Sequence, residues 1–259
     1  MIKAIFFDID GTLVSFETHE VIPSAREALK KLKEKGIRLY IATGRAKDGL
    51  KVLEGIDFDG YITLNGQYCF AEDGTVIYEN TIARNDLEIL VDELEKNPFP
   101  AGFVMRDTKV FNYRDERVDA IHEITHNDNH PAGDVSKVLD EKIYQVMCFI
   151  DEAKEKELLS RMHNCTAARW HPLFCDISPL GGTKVKGIDN FLKYHGIDLS
   201  ETMAFGDGGN DLQMLEHTAV SVAMGNAPEN VKEVSTYVTD SCDEDGLVKA
   251  LAHFGLLEP

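Results

Sequence analysis

Two short apolar runs constrain this chain more than any other feature, because each ends in an acidic, glycine-containing turn. Ala4–Phe7 runs into Asp8-Ile9-Asp10-Gly11-Thr12, and Thr202–Phe205 runs into Gly206-Asp207-Gly208-Gly209-Asn210-Asp211. Continuous rather than alternating apolarity marks a strand buried on both faces, as in a parallel sheet covered by helices. The flanking sequence alternates accordingly. A helix is expected over Ser24–Lys35, with Ser24 and Glu27 as a capping box and Gly36 as its stop. Strands are expected at Ile37–Ala42 and Tyr61–Leu64, and Asn65-Gly66 reads as a tight turn into Tyr68–Phe70, which pairs onward with Thr75–Tyr78. Alternation returns with a helix over Lys184–Tyr194, a helix over Asp211–His217, a strand at Val220–Ala223 and a proline-started helix at Pro228–Val234.

The middle of the chain has another character. A helix at Asn85–Lys96 is followed by a hairpin (Phe103–Arg106 with Val110–Tyr113) and by further strands near Ile143–Ile150, Ala167–Trp170 and Phe174–Ile177. This pattern builds its own sheet. The expected fold class is therefore α/β, a Rossmann-like parallel sheet core made of residues 1–80 and 183–259, interrupted by an inserted α+β domain at 81–182. Gly181-Gly182 reads as a hinge at its exit. A length of 259 residues suits two domains.

Charge narrows the partners. The net charge is −18, from 45 acidic and 27 basic side chains, which repels nucleic acid and anionic membranes. It repels a phosphate ester as well, so any phosphate site must carry its own local positive charge. The five cysteines have no C-x-x-C spacing, no segment reaches the length of a membrane span, and the N-terminal apolar run is too short for a signal-peptide core. A reducing cytoplasm is the expected location.

Four segments carry chemistry. Asp8 and Asp10 lie where a buried strand ends, the place where open α/β sheets bind ligands, and two carboxylates two residues apart can serve as nucleophile and general acid/base. Asp207 and Asp211 bring further negative charge to the second strand end. One like-charge pair at ~4 Å costs about 4 kcal/mol at an effective dielectric near ~20, so a gathering of carboxylates calls for a cation, and oxygen ligands favour Mg2+. Ile41-Ala42-Thr43-Gly44-Arg45 offers a hydroxyl and an unobstructed amide as a phosphate cradle. Lys184 stands at a helix start where it can neutralise both a phosphate and a nucleophile, with Lys186 as its competitor.

Taken together, D-I-D-G-T, I-A-T-G-R, the lysine ahead of Gly187-Ile188 and G-D-G-G-N-D resemble the motifs of the haloacid dehalogenase superfamily, and within it the Cof-type sugar-phosphate phosphatases with a class IIB cap. The resemblance implies that Asp8 attacks phosphorus, that Asp10 protonates the leaving group and then activates water, and that Thr12 orients Asp10 or its loop. It implies that Thr43 and the Gly44 amide bind phosphate oxygens, and that Asn210 contacts the phosphate. Lys184, 23 residues before Asp207, has the family spacing and is preferred to Lys186. Mg2+ would be held by Asp8, Asp207 and the main-chain carbonyl of Asp10, with Asp211 supporting the metal or Lys184. Arg45 would reach the substrate or the cap, or pair with surface acids. The presence of both aspartates in the first motif argues against the dehalogenase and phosphonatase branches. The partner implied is a small-molecule phosphate ester, acted on by a monomer or weak homo-oligomer.

Other features carry less. His122, His126 and His130 recur every four residues, but no carboxylate completes a zinc site, and a solvated cap surface is expected for them. Trp170 can stack on a sugar or serve as packing. Two competing functions share the core residues or most of them: a phosphosugar mutase, and a non-catalytic phosphometabolite-binding protein.

Overall fold

The computed structural model describes residues 1–125, 132, 133, 135 and 137–258. In chain order the elements are β1 (Ala4–Phe7), α1 (Pro23–Glu34), β2 (Arg38–Ala42), β3 (Gly60–Thr63), β4 (Tyr68–Ala71), β5 (Val76–Glu79), α2 (Arg84–Lys96), β6 (Ala101–Val104), β7 (Lys109–Phe111), α3 (Glu116–Thr125), β8 (Gln145–Cys148), α4 (Glu152–Leu159), β9 (Cys165–His171), β10 (Phe174–Pro179), α5 (Lys184–His195), β11 (Thr202–Gly206), α6 (Leu212–His217), β12 (Val220–Ala223), α7 (Glu229–Glu233), β13 (Tyr237–Val238) and α8 (Gly246–His253). They form two compact units. One comprises Met1–Arg45, Gly49–Glu79 and Gly182–Pro259, the other Ala46–Asp48 and Asn80–Gly181.

The first unit holds an eight-stranded sheet in the order β13-β12-β11-β1-β2-β3-β4-β5, parallel from β13 to β3 and antiparallel at β4 and β5. The unbroken apolarity of β1 has a simple cause: both faces are covered. Ile5 and Phe7 pack with Ala28, Leu29 and Leu32 of α1 and Ala250 and Leu251 of α8, while Ala4 and Phe6 pack with Ile188 and Phe191 of α5 and Met214 of α6. Strand order reverses between β1 and β11, since the chain runs outward through β2 and β3 on one side and through β12 and β13 on the other. That reversal opens a crevice at the carboxyl ends of β1 and β11. The register pairs Phe7 with Phe205, so Asp8 leaves the sheet beside Gly206, one residue before Asp207.

The second unit has a wholly antiparallel five-stranded sheet, β7-β6-β8-β10-β9. One face packs α2 and α4 through Leu87, Leu90, Leu94 and Leu158. The other carries a smaller cluster in which Phe111, Phe149 and Phe174 meet Val118 and Ile121 of α3.

Three expectations need correction. Helix α1 starts at Pro23, and no side chain caps it; Ser24 Oγ instead donates 2.5 Å to Asp245, so the Ser24–Glu27 capping box does not form. Proline at the first turn removes an amide that a cap would have served. Pro228 stands before α7 as its N-cap, not within it. His122 is buried, not solvated, its ring edge-on to Phe111 on the inner side of α3. His126 and His130 lie outside the described residues. None of the helices is long and apolar enough to cross a membrane, among the described residues.

Candidate active site

Asp8 is the first residue past β1. Its N–H donates to Phe205 O at 3.0 Å, extending the β1–β11 ladder by one step, and its carboxylate sits in the crevice with only 6% of its surface exposed. Gly11 turns the chain back. At φ +73° it adopts a left-handed conformation, and a Cβ there would stand 2.2 Å from Asp207 Oδ2, so the loop tolerates nothing larger than glycine.

Lys184 opens α5 behind the cap made by Thr183, whose side chain accepts from the Lys186 N–H at 3.1 Å. The residue is 2% exposed, and its ammonium bridges two carboxylates, 2.6 Å from Asp8 Oδ1 and 2.5 Å from Asp211 Oδ1. Lys186 is exposed. Asp211 is fully buried, and its second oxygen accepts the N–H groups of Asp207 (3.1 Å) and Gly208 (2.9 Å), which fixes the turn after β11. Asp207 receives the Asn226 side-chain N–H at 3.0 Å.

Ligand oxygens of Asp8, Asp207 and Asp211 all lie within 4.8 Å of one another. One lysine cannot balance three buried carboxylates. Burial, followed by the charge of Asp211, holds Asp8 well above the usual carboxylate range despite Lys184. The same two causes push Asp207 up to about 7. Lys184 shows the opposite face of this imbalance: burial opposes its charge, yet Asp211 and Asp8 raise its pKa and keep it an ammonium. A donor set made only of oxygens, with surplus negative charge and raised carboxyl pKa values, fits a hard divalent cation. Because Lys184 and two backbone amides already engage Asp211, the oxygens best able to take a cation belong to Asp8 and Asp207.

Asp10 points elsewhere. Its carboxylate forms a bidentate pair with Arg45, Nη2 at 2.6 Å and Nε at 2.9 Å, and is not part of the carboxylate cluster. Arg45 is anchored in turn by the Gly49 carbonyl at 2.9 Å. Among the alternatives for Arg45, the structure shows a pairing with an acid, and that acid is Asp10. Thr12 is buried and its hydroxyl finds no hydrogen-bond partner among the described residues. Thr43 is buried at the end of β2, its Oγ1 accepting from Arg45 N at 3.1 Å, with Gly44 beside it. Asn210 is exposed and donates to Asn65 Oδ1 at 3.1 Å.

Two residues of this neighbourhood escaped the sequence reading. Asn226 ties together Gly11 O (2.9 Å), Asp207 and the Cys242 N–H (3.1 Å). It follows β12 by three positions, so the rule that led to Asp8 and Asp207 could have found it. Asn65 was read as a turn residue alone.

A family model described as haloacid dehalogenase-like hydrolase matches residues 5–251. The Bacillus subtilis (strain 168) protein YkrA, provisionally named a phosphatase, is 33% identical over 259 residues, 99% of each chain. Among solved structures, the phosphatase-superfamily member BT1666 from Bacteroides thetaiotaomicron is 38% identical with a TM-score of 0.90, covering 99% of this chain and 96% of its own. The subclass IIB sugar phosphatase BT4131 is 42% identical with a TM-score of 0.84, covering 98% of this chain and all of its own. With both sheets, the acidic crevice and these likenesses in agreement, the chain belongs to the haloacid dehalogenase-like hydrolase family, as a Cof-type phosphatase of subclass IIB.

Proposed function

We propose that this protein is a Mg2+-dependent phosphatase of small phosphomonoesters, with sugar phosphates as its substrate class and Asp8 as its nucleophile. The observation that carries the reading is the Lys184 ammonium held between Asp8 and Asp211 in a crevice with surplus buried carboxylate. Asp8 and Asp207 would hold the cation, joined by the Asp10 carbonyl. When bound, Mg2+ supplies positive charge that offsets the phosphoryl oxygens and the carboxylates.

An Asp8 oxygen attacks phosphorus, and the bond from phosphorus to the ester oxygen breaks. Asp10, once out of the Arg45 fork and protonated from solvent, gives that proton to the departing alkoxide. The aspartyl phosphate then opens to water, whose proton goes to Asp10, releasing phosphate and restoring Asp8. Lys184 keeps Asp8 aligned and offsets charge on the phosphoryl oxygens, while Asp211 holds Lys184 in place. Thr43, the Gly44 amide and Asn210 bind the remaining phosphate oxygens. For Asp10 to serve, its carboxylate must leave the Arg45 fork, so Arg45 stores the acid/base away from the phosphorus until substrate arrives. The second unit, inserted between β5 and α5, is read as the specificity cap.

The sugar assignment draws on BT4131, a sugar phosphatase in its own description. Other relatives favour a wider search: YwtE of Bacillus subtilis, 28% identical over 273 residues and covering 95% of each chain, is named a 5-amino-6-(5-phospho-D-ribitylamino)uracil phosphatase. The test is phosphate release from hexose, pentose and polyol phosphates, nucleotides and a cofactor phosphate, with Mg2+ and with a chelator. Release that needs Mg2+ and is fastest for the sugar phosphates is expected. Fastest release from a nucleotide would overturn the substrate class; interconversion of sugar phosphates without release would point to a mutase.

A further inference from the structure

The turn between β3 and β4 is the most unusual backbone in the first unit. Leu64, Asn65 and Gly66 have φ of +51°, +52° and +97° in succession. Glycine and, to a degree, asparagine accept such values; leucine does not unless its surroundings impose them. Strain of this kind persists where neighbouring structure over-determines it, and it clusters at functional sites.

The neighbours here are the segments of the phosphate crevice. Leu64 N donates to Arg45 O at 3.0 Å and Asn65 N to Thr43 O at 2.9 Å, so the turn is laced to the loop after β2. Gly66 lies so close to the residue before Lys184 that a Cβ would stand 2.0 Å from the Thr183 carbonyl oxygen. The Asn65 carboxamide rests on Gly44, where a Cβ would be 3.3 Å from Asn65 Nδ2, and its Oδ1 accepts from Asn210 Nδ2 across 145 residues of sequence. One three-residue turn thus touches the segments that carry Thr43 and Gly44, Lys184, and Asn210.

We propose that Asn65 is a positioning residue of the phosphate subsite, fixing the Asn210 carboxamide and backing the Gly44 amide. This rests on the phosphatase reading and deepens it. Asn210 is exposed, and a lone exposed carboxamide is a free rotor. With one Nδ2 hydrogen committed to Asn65, the plane of the group is set and its second N–H has one direction in which to meet a phosphoryl oxygen. Asparagine suits the position because it both tolerates the left-handed backbone and offers an acceptor. Glycine would supply only the first property.

That difference makes the test. Asn65→Gly keeps the backbone comfortable and removes only the carboxamide. With p-nitrophenyl phosphate and Mg2+, kcat/KM of Asn65→Gly should fall about tenfold, as misplacement of a binding group does, with Tm unchanged or higher. Asn210→Ala should show a similar loss, and Asn65→Gly should add less than about twofold in the Asn210→Ala background, since the two act as one unit. Wild-type kcat/KM in Asn65→Gly, or an equal loss in both backgrounds, would overturn the proposal. If the wild-type protein itself releases no phosphate, the phosphatase reading fails instead. Calorimetric affinity for inorganic phosphate with Mg2+, measured over the same four proteins, then decides: non-additive loss supports the role of Asn65, and unchanged affinity in Asn65→Gly refutes it.

Discussion

Two buried carboxylate sites, one in each unit, are treated in opposite ways. In the first, Asp8, Asp207 and Asp211 share one buried lysine, and the pKa of Asp207 is pushed up to about 7. In the second, the carboxylate of Glu93 has three partners: Lys154, Arg161 at 2.6 Å and the Asn97 side chain at 2.8 Å. Lys154 and Arg161 bring Glu93 down to about 2. Both sites bury negative charge, but only one satisfies it. Glu93 ties α2 to α4 and asks for nothing more; the crevice at β1 and β11 is electrostatically incomplete, which is the condition of a site built to receive a cation and a phosphoryl group.

The largest effect that distinguishes the two belongs to Asp8. Asp8→Asn should lower phosphate release by on the order of 10⁵-fold, because the nucleophile is gone while the shape remains. In the metal-free protein it should also raise Tm, since one uncompensated charge leaves the crevice. Retained phosphate release would break the comparison at its centre. Next comes Lys184→Ala, for which a loss of about 10²–10³ in kcat is expected, with a fall in Tm as the carboxylates lose their one cation. Lys186→Ala, at an exposed position two residues further along α5, should change kcat by less than about threefold; the reverse ranking would mean that the wrong lysine was chosen.

The pH dependence is smaller and has a definite sign. The carboxyl of Asp207 is raised in the folded protein, so its protonated form favours folding. In the metal-free protein that stability is present below the unfolded pKa of ~3.9 and is lost as pH rises through about 7. Protons and Mg2+ compete for the same oxygens, so Mg2+ affinity should weaken by up to about tenfold per pH unit below 7. Thermal melts with chelator and with Mg2+ at pH 6 and pH 8 check this: stabilisation by Mg2+ should be greater at pH 8, and equal stabilisation would remove Asp207 from the metal set.

The smallest effect on activity should come from Glu93→Gln, whose turnover should match the wild type. Its stability should drop by about 1–2 kcal/mol, below the ~3–5 kcal/mol of a fully buried pair because the Lys154 and Arg161 side chains are 23% and 37% exposed. A loss of turnover without loss of Tm would show that Glu93 belongs to function after all.

What was legible in the sequence follows from the range of the physics involved. Unbroken apolar runs report that both faces of a strand are covered, so β1, β2, β11 and β12 could be read locally, and with them the strand-end positions of Asp8, Thr43 and Asp207. Lys184 was distinguishable from Lys186 through a family spacing, and the structure shows the difference as burial: one ammonium inside the crevice, the other in solvent. Contacts between distant segments left no local trace. Nothing near Asp10 announces Arg45 as its partner, 35 residues away. The αL backbone of Leu64 comes from hydrogen bonds to the loop after β2, not from leucine's own preference. Ser24 had the pattern of a cap, but an acceptor 221 residues away took its hydroxyl. The spacing around His122 carried no sign that its side chain is covered, which depends on Phe111 from another element.

The most direct measurement is to mix the protein with Mg2+ and a turned-over phosphate ester, quench in acid within the first turnover, and locate any phosphoryl group by peptide mass spectrometry. An adduct on the peptide bearing Asp8, absent in Asp8→Asn and absent with chelator, is the expected result. Phosphate release at the same rate with no adduct on that peptide at any time, or an adduct that persists in Asp8→Asn, would contradict the assignment of Asp8 as nucleophile.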